Sequence, residues 1–267
     1  MRILPDGRVT FALAMLALGL LCLFSGDFAS VWQPVPADMP GRTYLACGSG
    51  TLMALAGAGL LFRRTLATAA CVLTAYTLVW LLVLQAPRVI AAPGQEASWG
   101  ACAEIAILVA ASWMLHASAV TPPDKPYCAA LTGSKALRMA QLLFAAALPL
   151  LGLEHLIYAQ PTAAMVPAWL PDRIDWAYLT GMAHIAAGLA IGVAVLPRLA
   201  AALEAWMMGT FTVLVWIPSV VAAPMQRFAW TGLLISAALT AAAWIVAESY
   251  REASWQPVSS PLGTSTD

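Results

Sequence analysis

Charge is what this chain has least of. Its 13 basic and 13 acidic residues cancel, and together they make up only 10% of 267 residues against 61% hydrophobic ones. A soluble domain has about a quarter of its residues charged, so water cannot be the solvent around this surface. Zero net charge and an isoelectric point near 6.8 leave no electrostatic footprint for nucleic acid. Catalytic signatures are absent as well: there is no phosphate-binding loop, nucleophile elbow, HExxH or dinucleotide fingerprint. The five cysteines, at Cys22, Cys47, Cys71, Cys102 and Cys128, form neither a Cys-x-x-Cys nor a metal-type spacing. Cys22, Cys47 and Cys102 fall near one end of their helices, where a redox pair is conceivable, but small apolar packing is the stronger account of them.

What the chain has instead is long apolar runs, with a mean hydropathy of +0.81. A hydrocarbon core of about 30 Å needs about 20 such residues per helix. Eight runs meet this, near residues 9–24, 43–62, 65–84, 99–115, 136–156, 175–195, 199–217 and 228–246. They lack the alternation of barrel strands, so the predicted fold is an all-α integral membrane protein with eight transmembrane helices. The first run follows Arg2 and Arg8 but is not succeeded by a good small-x-small cleavage site, and is read as a retained helix. Counting basic residues in alternate loops puts nine on the side of the termini and four opposite, which predicts cytoplasmic N- and C-termini in a bacterial inner membrane.

One stretch is written twice. Residues 87–99 read PRVIAAPGQEASW and residues 218–230 read PSVVAAPMQRFAW, with prolines, Ala-Ala and tryptophan in register at an offset of 131. Trp113 and Trp244 keep the same offset. Four helices separate the copies, an even number, so the expectation is two parallel four-helix repeats rather than an inverted pair. The domains are then residues 1–120, a cytoplasmic linker over 121–135, a second unit over 136–250 and a disordered tail over 251–267.

The second copy carries GLEHLIYAQPTAAMVPAWLP over 152–171 and WAYLTGMAHIAAGLAIG over 176–192. These residues resemble the first two helices of the DoxX-like family of bacterial membrane proteins, the resemblance covering about 140–250. Its telling parts are Gly152-x-x-His155, the VPAWLP re-entry and the Gly-rich second helix. The first copy is more diverged, with Asp27 near the place of His155. The resemblance implies a doubled four-helix unit associated with membrane redox systems, from thiol or sulfur compounds to quinone.

Ionisable groups at membrane depth are costly and are therefore the candidates for function. His184 shares a face with Gly181, Gly188 and Gly192, along which another helix can approach; it suits either proton handling or an interhelical hydrogen bond. His155 lies near the outer end of its helix, and Glu104 about one turn inside another, where it needs a proton or a cationic partner such as His184 or an outer arginine. His155, His184 and Glu104 are the predicted proton-handling group, with Trp169, Pro167 and Pro171 as an outer cap against the substrate. Glu154 is expected to snorkel outward, Glu204 to lie toward the inner half away from this group, and His116 to have no special role.

Two functions follow. In one, the protein is the membrane subunit of an oxidoreductase, with a quinone beside the histidines and a partner subunit supplying electrons. In the other it is a scaffold or a carrier for a small apolar solute. The shortage of intramembrane charge argues against conventional ion-coupled transport.

Overall fold

The structure is a computed structural model and describes residues 7–29, 32–120 and 131–251. Most of the predicted linker and tail lies outside these residues. Eight helices are long and apolar enough to cross a membrane. They are α1 (Gly7–Ser25), α2 (Arg42–Gly59), α3 (Leu66–Ala91), α4 (Glu96–Ala119), α5 (Gly133–Ile157), α7 (Arg173–Gly192), α8 (Pro197–Ala222) and α9 (Arg227–Ser249), with a short α6 (Ala159–Met165) at the end of the bundle opposite the start of α1. The chain is thus a multi-pass membrane protein by the length and composition of its helices. The apolar runs understate several spans: α3 and α8 continue past the predicted ends, through Pro87 and Pro218. Both prolines sit in the first turn after a π-helical segment, Leu81–Gln85 in α3 and Thr212–Trp216 in α8. A widened turn of this kind accommodates a residue that cannot donate to the ladder.

The helices pack in chain order into a closed circuit. α1 lies on α2, α2 on α3, α3 on α4, α4 on α5, α5 on α7, α7 on α8, α8 on α9, and α9 returns to α1, while α4 and α9 also meet across the middle. These two are the most enclosed spans. α4 is apolar on every face, as a helix surrounded by others must be, and Ile105, Ile107, Leu108 and Met114 on it are almost fully buried. Alanine and glycine let the backbones approach closely. On α5 and α7, a Cβ on Gly152 would stand 2.5 Å from the Gly181 carbonyl oxygen, and a Cβ on Gly181 would stand 2.9 Å from that of Gly152. No side chain larger than hydrogen fits that crossing.

The connection from α7 to α8 is short. Ala194 and Leu196 both take positive φ, 58° and 47°, and the Val195 N–H reaches back to the Ala190 carbonyl at 2.9 Å. Pro197 then opens α8, its fixed φ suited to a first helical position. This tight reversal makes α7 and α8 an antiparallel hairpin, and the hairpin aligns the site below.

Candidate functional site

The Gly152–Gly181 crossing fixes the first member. It brings the C-terminal end of α5 against α7, so that His155 Nδ1 lies 2.8 Å from Thr180 Oγ1. The threonine hydroxyl donates to the Trp176 carbonyl oxygen at 2.8 Å, one turn back on its own helix. With its proton committed there, Thr180 accepts from His155 Nδ1–H, which leaves Nε2 as the unprotonated nitrogen.

One turn further along α7, the His184 ring meets the His155 ring edge-on, with centroids 5.1 Å apart and planes at 89°. Phe211 on α8 packs against both, at 5.9 Å from His155 and 6.2 Å from His184. On its other side His184 Nδ1 lies 2.6 Å from Glu204 Oε1, and both side chains are buried. This overturns the expectation that Glu204 stands apart from the histidines. His184 and Glu204 are each ten residues from Ala194, one before and one after, so the hairpin turn places them at the same depth. Had α7 and α8 been paired about that turn, the sequence alone would have shown it.

A carboxylate on the Nδ1 side sets the imidazole tautomer and directs Nε2 toward exchange. The 2.6 Å separation is that of a charge-assisted bond, and the pair is neutral overall whichever partner holds the proton, which is how two ionisable groups are tolerated among lipid-facing helices. Glu204 Oε2 is buried and has no hydrogen-bond partner among the described residues. An orphaned carboxylate oxygen beside two imidazoles is an open acceptor position.

Glu104 takes neither a proton-sharing histidine nor an arginine as its contact. Its Oε2 accepts the indole N–H of Trp32 at 2.6 Å, and Trp32 is fully buried. Trp32 and Gln33, between α1 and α2, are buried and plug the end of the first four helices opposite the start of α1. Gln85 Nε2 donates to the Trp32 carbonyl at 2.8 Å, Gln33 Nε2 donates to Ser49 Oγ at 2.7 Å, and Ser49 and Tyr76 share a hydrogen bond. None of this network was marked by a motif. Glu154 does not snorkel away: it is half-buried, and its carboxylate lies over Gly100 of α4, where a Cβ would stand 2.6 Å from Oε2. From there it is within electrostatic reach of both Glu104 and His184.

The loop of residues 166–172 carries the predicted cap. Pro167 and Pro171 accept from the Leu170 N–H at 3.0 Å and the Trp176 indole at 3.1 Å, while Trp169 is 71% exposed. His116 is buried on the opposite side, bonding the Ala67 carbonyl through Nδ1 at 2.9 Å. No disulfide joins Cys22, Cys47, Cys71 and Cys102, and no group of three metal-ligating side chains occurs among the described residues. Just past the end of α1, Asp27 pairs with Arg42 at 2.5 Å and with Arg227 at 3.1 Å, linking the starts of α2 and α9. Partial burial pushes its carboxyl up, but the Phe28 N–H and the two guanidiniums outweigh this and hold it below the ordinary value of 3.8.

No family model, curated protein or solved structure matches this chain. The reading of its function therefore rests on its own residues.

Proposed function

We propose that this protein is a DoxX-like subunit of a bacterial inner-membrane redox system, in which the His155, His184 and Glu204 group exchanges protons beside a quinone. The observation that carries the proposal is the buried His184–Glu204 pair with His155 edge-on to it. An imidazole oriented by a carboxylate, with a second imidazole as neighbour, can take up or release a proton without leaving a net charge in the apolar interior.

The two-unit reading belongs with it. Leu66–Trp80 and Pro197–Phe211 differ by 131 residues at both ends, as do the π-helical segments Leu81–Gln85 and Thr212–Trp216. The following turns behave alike: Trp99 Nε1 donates to the Pro93 carbonyl at 3.0 Å and Trp230 Nε1 to that of Pro224 at 2.9 Å. In this reading the units have diverged in role. The first is plugged by Trp32 and Gln33, whereas the corresponding offset in the second falls on Ala163 and Ala164, and the histidines occupy its outer half.

A quinone supplies a two-electron, two-proton couple, the electrons passing to or from a partner subunit. The residues present fit such a group. Glu204 Oε2 is an unmet acceptor for a hydroxyl, His184 Nε2 is the exchanging nitrogen, and the Phe211 and His155 rings offer apolar faces. Phe211 and Thr180 hold the two imidazoles in place, and Glu204 keeps His184 in the required tautomer. Glu154, between Glu104 and His184, extends the titratable line toward the outer surface.

The test is extraction of purified protein with quantification of quinone against an unrelated membrane protein prepared identically. Near-stoichiometric quinone that falls in His184→Ala and Glu204→Gln supports the redox subunit. Quinone no higher than in the control leaves the scaffold or carrier as the working model.

A further inference from the structure

The His184–Glu204 pair does not reach the surface. Each residue is 2% exposed, and the Glu204 oxygen left without a partner among the described residues is enclosed by protein. Filling space does not require this pair. In the two-unit reading, His184 and Glu204 stand 131 residues after Met53 and Leu73, which are fully buried at the corresponding places in α2 and α3. An apolar pair serves that packing position without the cost of desolvating charge, so an ionisable pair there points to a use for its proton. A proton that is used must be replaced from water, and a group closer to the surface has to carry it in.

Glu154 meets that description. It lies three residues before the end of α5, beside His155, and is half-buried. Its carboxylate crosses to α4 and rests on Gly100: the three atoms nearest a Cβ built there would be Glu154 Oε2 at 2.6 Å, Cδ at 3.0 Å and Oε1 at 3.4 Å. The glycine is a notch that seats the carboxylate. One turn further along the same face of α4 stands Glu104, held by the Trp32 indole. From this seat Glu154 interacts electrostatically with Glu104 on α4 and with His184 on α7. His155, the other half-buried neighbour, is the poorer relay. An imidazole passes a proton by taking it at one nitrogen and releasing it at the other, and His155 Nδ1 is tied to Thr180, whose own proton is committed to the Trp176 carbonyl. A carboxylate accepts and releases through either oxygen.

We infer that Glu154 is the proton inlet of the site, seated on Gly100 and passing protons between water at the end of the bundle opposite the start of α1 and the buried His184–Glu204 pair. The inference rests on the proton-exchange reading of that pair and is separable from the quinone. A proton taken from water by the Glu154 carboxylate passes to the pair, the pair releases one to its bound acceptor, a quinone oxygen in the reading above, and Glu154 is left a carboxylate again. Gly100 is a positioning residue, acting only through where it lets the carboxylate lie.

The experiment is hydrogen–deuterium exchange at the histidine rings of the full chain in lipid nanodiscs, with isotope-labelled histidine followed by NMR after transfer to deuterium oxide. The chain has three histidines, so single substitutions assign every signal. Glu154→Gln should slow exchange of the proton shared by His184 and Glu204 about ten-fold or more, a modest share of what a positioned acid–base group contributes. Glu154→Asp should restore part of the rate. Gly100→Ala should slow exchange too, because its methyl displaces the far end of a flexible side chain and the helices need not move. His116, buried against the Ala67 carbonyl near the other end of α4, is the internal control and should exchange alike in all variants. Unchanged exchange in Glu154→Gln, slowing that His116 shares, or slowing in His155→Ala but not in Glu154→Gln would each overturn the inference. Quinone measured in the same preparations separates the two claims. Retained quinone with exchange indifferent to Glu154→Gln keeps the redox reading and removes the inlet; slowed exchange without quinone keeps the inlet and removes the quinone.

Discussion

Glu204 shows how much a single side chain's partner changes its meaning. Read along α8 it is an isolated acid in an alanine-rich stretch; read across the hairpin it is the residue that orients His184. Removing one member of a buried pair strands the other, at about 3–5 kcal/mol, whereas replacing both with apolar residues of similar volume is close to neutral. Glu204→Ala should therefore destabilise the protein strongly in detergent unfolding, Glu204→Gln less, and the His184→Met, Glu204→Met double variant least. If the double variant is as unstable as Glu204→Ala, the two residues do not act as a pair. Asp27 gives a pH-dependent counterpart at the surface. Its lowered pKa means that the folded state favours the carboxylate, so its stabilisation is present above the ordinary value of 3.8 and is lost as pH falls below it. Because the carboxylate is about a third exposed, Asp27→Asn should cost only about 1 kcal/mol or less at neutral pH. The wild-type and variant melting curves should converge below about pH 4.

At the scale of elements, the α7–α8 turn and the α5–α7 crossing position the site. Ala194 holds a left-handed conformation that costs an L-residue about 1–2 kcal/mol and glycine almost nothing. Ala194→Gly should raise stability by about 1 kcal/mol without altering quinone retention, checked by thermal unfolding of the detergent-solubilised protein. Gly152→Ala tests the crossing in the opposite sense. A methyl group 2.5 Å from the Gly181 carbonyl must push α5 from α7, destabilising by about 1–3 kcal/mol and separating His155 from Thr180 and His184. Helix identity was legible from hydropathy alone, because spans of 18 or more apolar residues admit one structure in lipid. Helix length was not: Pro87 and Pro218 read as terminators, and only the π-helical turns before them let α3 and α8 continue.

For the whole molecule, an even number of spans places both ends of the bundle on one side, and the basic-residue count predicts that this side is cytoplasmic. A reporter active only in the periplasm should stay dark when fused after Asp267; a bright fusion reverses the orientation. The cysteines give a second check of the global arrangement. Cys22, Cys47, Cys71 and Cys102 should all alkylate after unfolding without reductant, and protection of any two would require a different packing of α1 to α4.

Composition by itself determined that this chain is a membrane protein with eight helices long and apolar enough to cross, because the cost of exposing backbone and charge to hydrocarbon leaves no other solution. The tertiary structure decided which polar residues meet. Trp32 is a fully buried plug; Glu104, which the sequence leaves to a proton or a cationic partner, accepts an indole N–H; Glu154, expected to snorkel outward, lies over Gly100. In an alanine-rich chain the apolar pattern is nearly uniform around each helix, so it does not say which face points where. That choice is made by close backbone crossings such as Gly152–Gly181 and by the short turn at Ala194, and these exist only when the helices have packed.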